Sequence, residues 1–179
     1  MNDPATTAYR GAATRWARDA SVAYAPMARH LIARSPFELA GSLVLDAGAG
    51  TGAASAALGA AHARVVAVDF ESTMLEFDSA RRPSGVIGDI TSLPLRTGVF
   101  DAVVAAFVLN HIAPVPKGLR ELARVTRPGG AVLASTFSNR RARPRLRLTG
   151  SRRRSDGLHP RGTTRSGLAN HASARSIYC

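Results

Sequence analysis

The residues best suited to chemistry cluster where one apolar run ends. Leu43-Val44-Leu45 leads into Asp46, and Asp46 into Gly48, Gly50 and Gly52, with Thr51 between the last two and an alanine-rich stretch behind them. A strand that runs into a glycine turn brings backbone N–H groups close to a ligand, because glycine has no Cβ in the way. A helix starting there turns its partly positive N-terminus to the same spot. The arrangement predicts a nucleotide-type cofactor site at the C-terminal edge of a parallel sheet, where open α/β folds bind their ligands. Two more acids close apolar runs further on: Asp69 after Val65-Val66-Ala67-Val68, and Asp89 after Val86-Ile87-Gly88.

The glycines alone leave the cofactor open. Gly48-x-Gly50-x-x-Ala53 also satisfies the loose dinucleotide fingerprint, and Asp69, 21 residues after Gly48, suits the ribose of a nicotinamide cofactor equally well. Against that reading stand Asp46 directly before the turn and the Gly88-Asp89 pair. His111 is the candidate base, since an imidazole titrates near neutral pH and suits proton removal from an acceptor. The competing reading of His111 is a hydrogen bond to a loop carbonyl. Asp101 reads as a structural residue at the start of a strand.

The elements that would hold these residues alternate. One or two amphipathic helices are expected over about 7–35, with Pro26 opening the second. Strands are expected at about 42–47, 64–69, 84–89, 100–107 and 131–136, and helices at about 52–61, 72–82 and 117–125. Such alternation indicates βαβ units and a doubly wound parallel sheet in an α/β domain. The chain of 179 residues is long enough for one domain with a sizeable core. No apolar run reaches membrane-spanning length and no secretory leader pattern opens the chain, so a cytoplasmic protein without a membrane is expected. The single cysteine, Cys179, excludes an internal disulfide framework or a cysteine-based metal cluster.

The net charge of +12 is concentrated at one end: residues 140–179 hold 11 arginines and one acid, Asp156. That segment shows neither helical nor strand periodicity and is expected to be a disordered tail. It would grip nucleic acid only nonspecifically, through phosphate charge.

The ordered set of motifs across about 9–138 resembles the class I S-adenosylmethionine-dependent methyltransferases, small-molecule, type 11-like kind. The resemblance implies a Rossmann-like sheet of order 3-2-1-4-5 under an N-terminal helical cap (1–38), in a cofactor-binding domain spanning 1–139. It implies that Asp46 with Gly48, Gly50, Thr51 and Gly52 holds the methionine and ribose part. Asp69 would accept from both ribose hydroxyls, a task suited to a group with two acceptor oxygens and no donor. Phe70 and Met74 would pack on the adenine, Asp89 would meet its amino group, and Ile90 would flank the ring. Phe107, in the fourth-strand motif that runs from Phe100 to His111, would count among the cofactor-binding residues, and the end of that motif would line the reaction centre. The acceptor implied is a small molecule. The family continues past its fifth strand with a helix and an antiparallel strand pair, and no match follows Ser138 here. The last strands are therefore expected to be missing, through truncation or a shifted reading frame, leaving 131–136 as an open edge. A basic nucleic-acid-binding protein and an inactive remnant are the alternatives.

Overall fold

Each strand is short, apolar and flanked by a turn, and the strands assemble in parallel. The computed structural model describes residues 13–137 and 175–178, with side chains over 23–137, all within one compact unit. The elements are α1 (Ala13–Ile32), β1 (Leu43–Ala47), α2 (Ala53–Ala60), β2 (Arg64–Asp69), α3 (Ser72–Glu76), β3 (Gly85–Ile87), β4 (Phe100–Ala106), α4 (Val115–Val125), β5 (Thr126–Ser135) and β6 (Arg175–Tyr178). The sheet order is β3-β2-β1-β4-β5-β6, every neighbouring pair parallel. Its first five strands follow the order 3-2-1-4-5.

Alternate residues of each strand serve opposite faces. Leu45, Ala47, Val103, Ala105, Val132 and Ala134 pack with Leu122 and Val125 of α4. Val44, Ala102, Val104 and Leu133 pack with Leu31 and Ile32 of α1 and with Ala54 and Leu58 of α2. Both faces of the central strands are therefore buried, which explains their unbroken apolar text. Asp46 has the parity of Val44, so its carboxylate lies on the α2 side.

The structure departs from the sequence reading in four places. Residues 13–32 form one helix with Pro26 inside it, rather than a second helix opening there. Proline costs an interior helix roughly 3 kcal/mol. Burial of Ala28, Leu31 and Ile32 beyond it offsets this, large apolar side chains contributing about 1.5–3 kcal/mol each. The helix expected over 72–82 stops at Glu76; Phe77 is extended, Asp78 is left-handed at φ 51°, and a 3₁₀ turn follows at Ser79–Arg81. Arg82 explains the break: its Nη1 donates to the carbonyls of Met74 and Phe77, taking acceptors that a continuing helix would use.

The other two departures concern β5. It starts at Thr126, directly off α4; Phe100 pairs with Thr126 but Ala102 with Ala131, so 127–130 bulge out opposite Asp101. Arg127 Nε donates to Asp101 Oδ1 at 2.6 Å there, and Asp101 Oδ2 accepts from the Leu43 N–H at 2.7 Å. The far edge of β5 is also not open. Arg175–Tyr178 pairs with Ala131–Ala134 in parallel, so the expectation that 140–179 adds no strand is corrected for those four residues. The physical reason is the edge itself: apolar Val132 and Leu133 present unpaired backbone groups that any short β-prone segment satisfies, and Ser176-Ile177-Tyr178 is such a segment. Residues 138–174, on which the rest of the tail reading falls, lie outside the described residues. Among the described residues no helix is long and apolar enough to cross a membrane.

Candidate functional site

A cavity of about 430 Å³ opens where the C-terminal ends of β1, β2 and β4 meet the loop after β3. Asp46, Gly48, Gly50, Thr51, Asp69, Phe70, Met74, Asp89, Ile90, Phe107 and His111 all line it. Gly52 is the one residue singled out from the sequence that does not. It sits at the N-cap of α2 with φ 94°, and a Cβ there would stand 2.9 Å from Arg82 Nε. Its missing side chain makes room for an arginine rather than for a ligand.

The glycine turn works differently from the sequence expectation. The N–H groups of Gly48 and Ala49 both donate to Val68 O, at 2.8 and 2.9 Å. Gly50 N–H donates to Asp69 Oδ2 at 2.7 Å, and Gly52 N–H to Ala49 O at 2.9 Å. These amides are therefore satisfied within the protein instead of standing bare. Gly48 is glycine for two reasons: its φ is 74°, and a Cβ would meet Val108 Cγ2 at 2.4 Å. Stitched this way to β2, the turn becomes a rigid wall of the cavity.

The three acids differ in environment. Asp46 is 1% exposed; its Oδ2 accepts from Ser55 Oγ at 2.6 Å, and its Oδ1 has no hydrogen-bond partner among the described residues. Burial pushes its carboxyl up to about 6, with the Ser55 hydroxyl and the Arg82 charge opposing. Asp69 is half-buried and accepts from Gly50 N–H through one oxygen and from Glu71 N–H, at 3.0 Å, through the other. Burial raises its carboxyl too, against those two amides and Arg82. Asp89 is exposed and folds its own loop, accepting from Thr91 N–H at 2.7 Å and Thr91 Oγ1 at 2.8 Å. Each carboxylate oxygen has two lone pairs, so all three acids keep spare acceptor capacity.

Apolar groups complete the walls. Met74 and Ile90 are buried at 3% and 5%, while Phe70 is 61% exposed at the rim. Phe107 adopts φ 60°, a strained backbone for an aromatic residue. Its N–H is held by Ser135 O at 3.0 Å and Ser135 Oγ at 3.2 Å, and its ring meets Tyr24 edge-on at 5.0 Å and stacks on Phe137 at 5.4 Å. His111 ends a 3₁₀ turn at Leu109–His111, its Nε2 3.0 Å from Asn110 Nδ2. Sequence reasoning missed Val108, whose only signal was the glycine opposite it, and Arg82, which reads as an ordinary charge after a helix.

The arrangement fits the ligand implied by the resemblance. A buried carboxylate oxygen with no partner among the described residues suits an ammonium group, Asp69 suits paired hydroxyls, and the apolar Met74 and Ile90 suit a flat ring. Comparison with known proteins agrees. Residues 45–134 match the family model described as a methyltransferase domain. The chain is 46% identical over 95 residues to a demethylmenaquinone methyltransferase of Mycolicibacterium gilvum, covering 53% of this chain and 42% of that protein. It is 45% identical over 100 residues to the Beutenbergia cavernae protein of the same name, covering 55% and 42%. The match thus spans under half the length of these relatives. Among solved structures, a Bacillus subtilis protein, YcgJ, superposes with a TM-score of 0.55 at 27% identity, over 60% of this chain and 49% of that one.

Proposed function

The chain belongs to the methyltransferase domain family, and on that premise we propose that it binds S-adenosylmethionine and passes its methyl group to a small-molecule acceptor. The observation that carries this reading is the convergence of Asp46, Asp69 and Asp89 from three successive strand ends on one cavity. Three carboxylates around one cavity suit ammonium and hydroxyl donors better than phosphate oxygens.

When bound, the cofactor supplies a methyl group already activated by a sulfonium. The protein's own residues do the rest by placement. Asp46 Oδ1 takes the ammonium group of the methionine part, and Asp69 accepts from the ribose hydroxyls. Met74 and Ile90 hold the adenine, with Asp89 toward its amino group. Phe107 and Tyr24 exclude water on the acceptor side. Holding acceptor and methyl in line contributes up to about 7–11 kcal/mol in favourable systems. His111, which lines the cavity, would take a proton from an acidic acceptor hydroxyl. The curated relatives are named for demethylmenaquinone, which makes that compound the first acceptor to assay.

Calorimetry of the 179-residue chain with S-adenosylmethionine, its demethylated product and NAD tests the reading. Binding of the first two above NAD is expected. Tighter binding of NAD overturns the cofactor assignment.

A further inference from the structure

We infer that Tyr24 and Phe107, held in place by Phe137, form an aromatic clamp that selects a flat, uncharged ring as the methyl acceptor. The inference rests on the cavity being an S-adenosylmethionine site and goes beyond it by naming what fixes the acceptor. Tyr24 and Phe107 line the cavity and would touch the ring, whereas Phe137 does not line it. Phe137 is a positioning residue, acting through the other two.

The sheet order separates two halves of the cavity. Asp69 ends β2 and Asp89 follows β3, on one side of β1; Phe107 follows β4 on the other side, and Phe137 follows β5 beyond it. The first half therefore carries acids. In the second, Tyr24 and Ala28 of α1 and Ala106, Phe107 and Val108 at the end of β4 bring no charge, and His111 is the one basic side chain among the described residues that line the cavity. A charged acceptor would leave water here for an apolar wall, which is costly, whereas an uncharged ring loses little.

The rings are fixed from three directions. Phe107 has φ 60°, and a bulky residue keeps that conformation only where its surroundings over-determine it. Ser135 acts on the backbone, its O and Oγ accepting from the Phe107 N–H at 3.0 and 3.2 Å. On the ring, Tyr24 meets Phe107 edge-on at 5.0 Å, and Phe137 stacks on it at 5.4 Å with 29° between the planes. Tyr24 and Phe137 meet edge-on at 6.0 Å, so each ring is paired with both others at a favourable aromatic spacing. Phe137 leaves 54% of its surface open, so core burial gives little account of a phenyl ring there. Tyr24 and Phe137 also stand outside residues 45–134, the stretch matching the methyltransferase domain, while the three acids and Phe107 stand inside it. The matched stretch carries the cofactor groups, and its flanks supply the other two rings of the clamp.

The test uses the full chain and its Y24L, Y24F, F137L and F137Y variants, each saturated with S-adenosylhomocysteine. The probes are 2-naphthol, a flat hydroxylated ring pair, and decahydro-2-naphthol, its puckered saturated counterpart, with affinities read by calorimetry. The unaltered chain is expected to prefer the flat probe. Y24L and F137L should weaken 2-naphthol roughly two- to tenfold and leave S-adenosylhomocysteine and the saturated probe almost unmoved, while Y24F and F137Y keep the preference. Because Phe137 is half-exposed, F137L carries the comparison even where Y24L fails to fold. A role confined to tying α1 to the sheet would lower the melting temperature and affect both probes alike. That result, or equal affinity of the unaltered chain for the two probes, overturns the inference. If the unaltered chain binds no S-adenosylhomocysteine, the functional reading falls instead, and the same comparison on the ligand-free chain still decides whether these rings select a flat probe.

Discussion

Asp46 combines near-complete burial with an acid's charge and an oxygen left without a hydrogen-bond partner among the described residues. The combination is costly in the folded state, and the direction of its titration shows how. Its carboxyl is pushed from the ordinary 3.8 up to about 6 by burial, so the folded chain holds this proton more tightly than the unfolded chain. Stability is therefore greatest below the unfolded value and declines as pH rises to about 6, by roughly 3 kcal/mol at 1.36 kcal/mol per unit. Asp46→Asn removes the charge and keeps the shape. It should unfold at higher denaturant than the parent at pH 7, match it near pH 3, and lose cofactor affinity. Chemical denaturation at both pH values with parallel calorimetry checks all three. Asp69→Ala is different, because Asp69 also holds the Gly50 and Glu71 amides in the ligand-free chain. Its loss should weaken cofactor binding by roughly 1.5–3 kcal/mol, the usual scale for charged hydrogen bonds. Calorimetry reads that change directly, and an unchanged affinity would remove Asp69 from the site.

At the scale of elements, one side-chain cluster ties the loop carrying Asp89 and Ile90 to the body of the domain. Arg124 on α4 donates to Leu93 O at 3.0 Å and Leu95 O at 2.9 Å, and Glu121 accepts from Leu93 N–H at 2.8 Å while pairing with Arg124 at 2.7 Å. The group is partly open to solvent, which reduces its contribution. Arg124→Ala should cost about 1–2 kcal/mol of stability and raise amide exchange at 93–97 before any other segment, measurable by thermal melting and hydrogen exchange. Strands β1, β2 and β4 were legible in the sequence because burial on both faces leaves continuous apolar runs between turn residues. The break in α3 was not, since it depends on a guanidinium reaching back to carbonyls at Met74 and Phe77, and local propensity carries no trace of that. Pro26 misled for a related reason: packing beyond it outweighs what proline costs the backbone. The cavity residues were largely legible because strand ends in a parallel sheet converge on one side. The role of Gly52 was not, because a glycine cannot announce what fills the space it leaves.

On the scale of the whole molecule, β6 protects an apolar edge with four backbone-paired residues. Deleting 175–179 would uncover Val132 and Leu133 as a row of unpaired backbone groups, and light scattering at rising concentration should then show association that the full chain resists. A deletion variant that stays monomeric would show that the edge needs no cover. The glycine turn has a wider consequence. The amides of Gly48, Ala49, Gly50 and Gly52 are consumed by Val68, Asp69 and Ala49 before any ligand arrives, and Gly48 and Gly52 are kept small by Val108 and Arg82. Such a turn is architecture, inherited by whatever chemistry is built on the same scaffold. A sequence search keyed to glycine spacing will therefore sort proteins by ancestry of fold, while the acids at the strand ends sort them by what they hold.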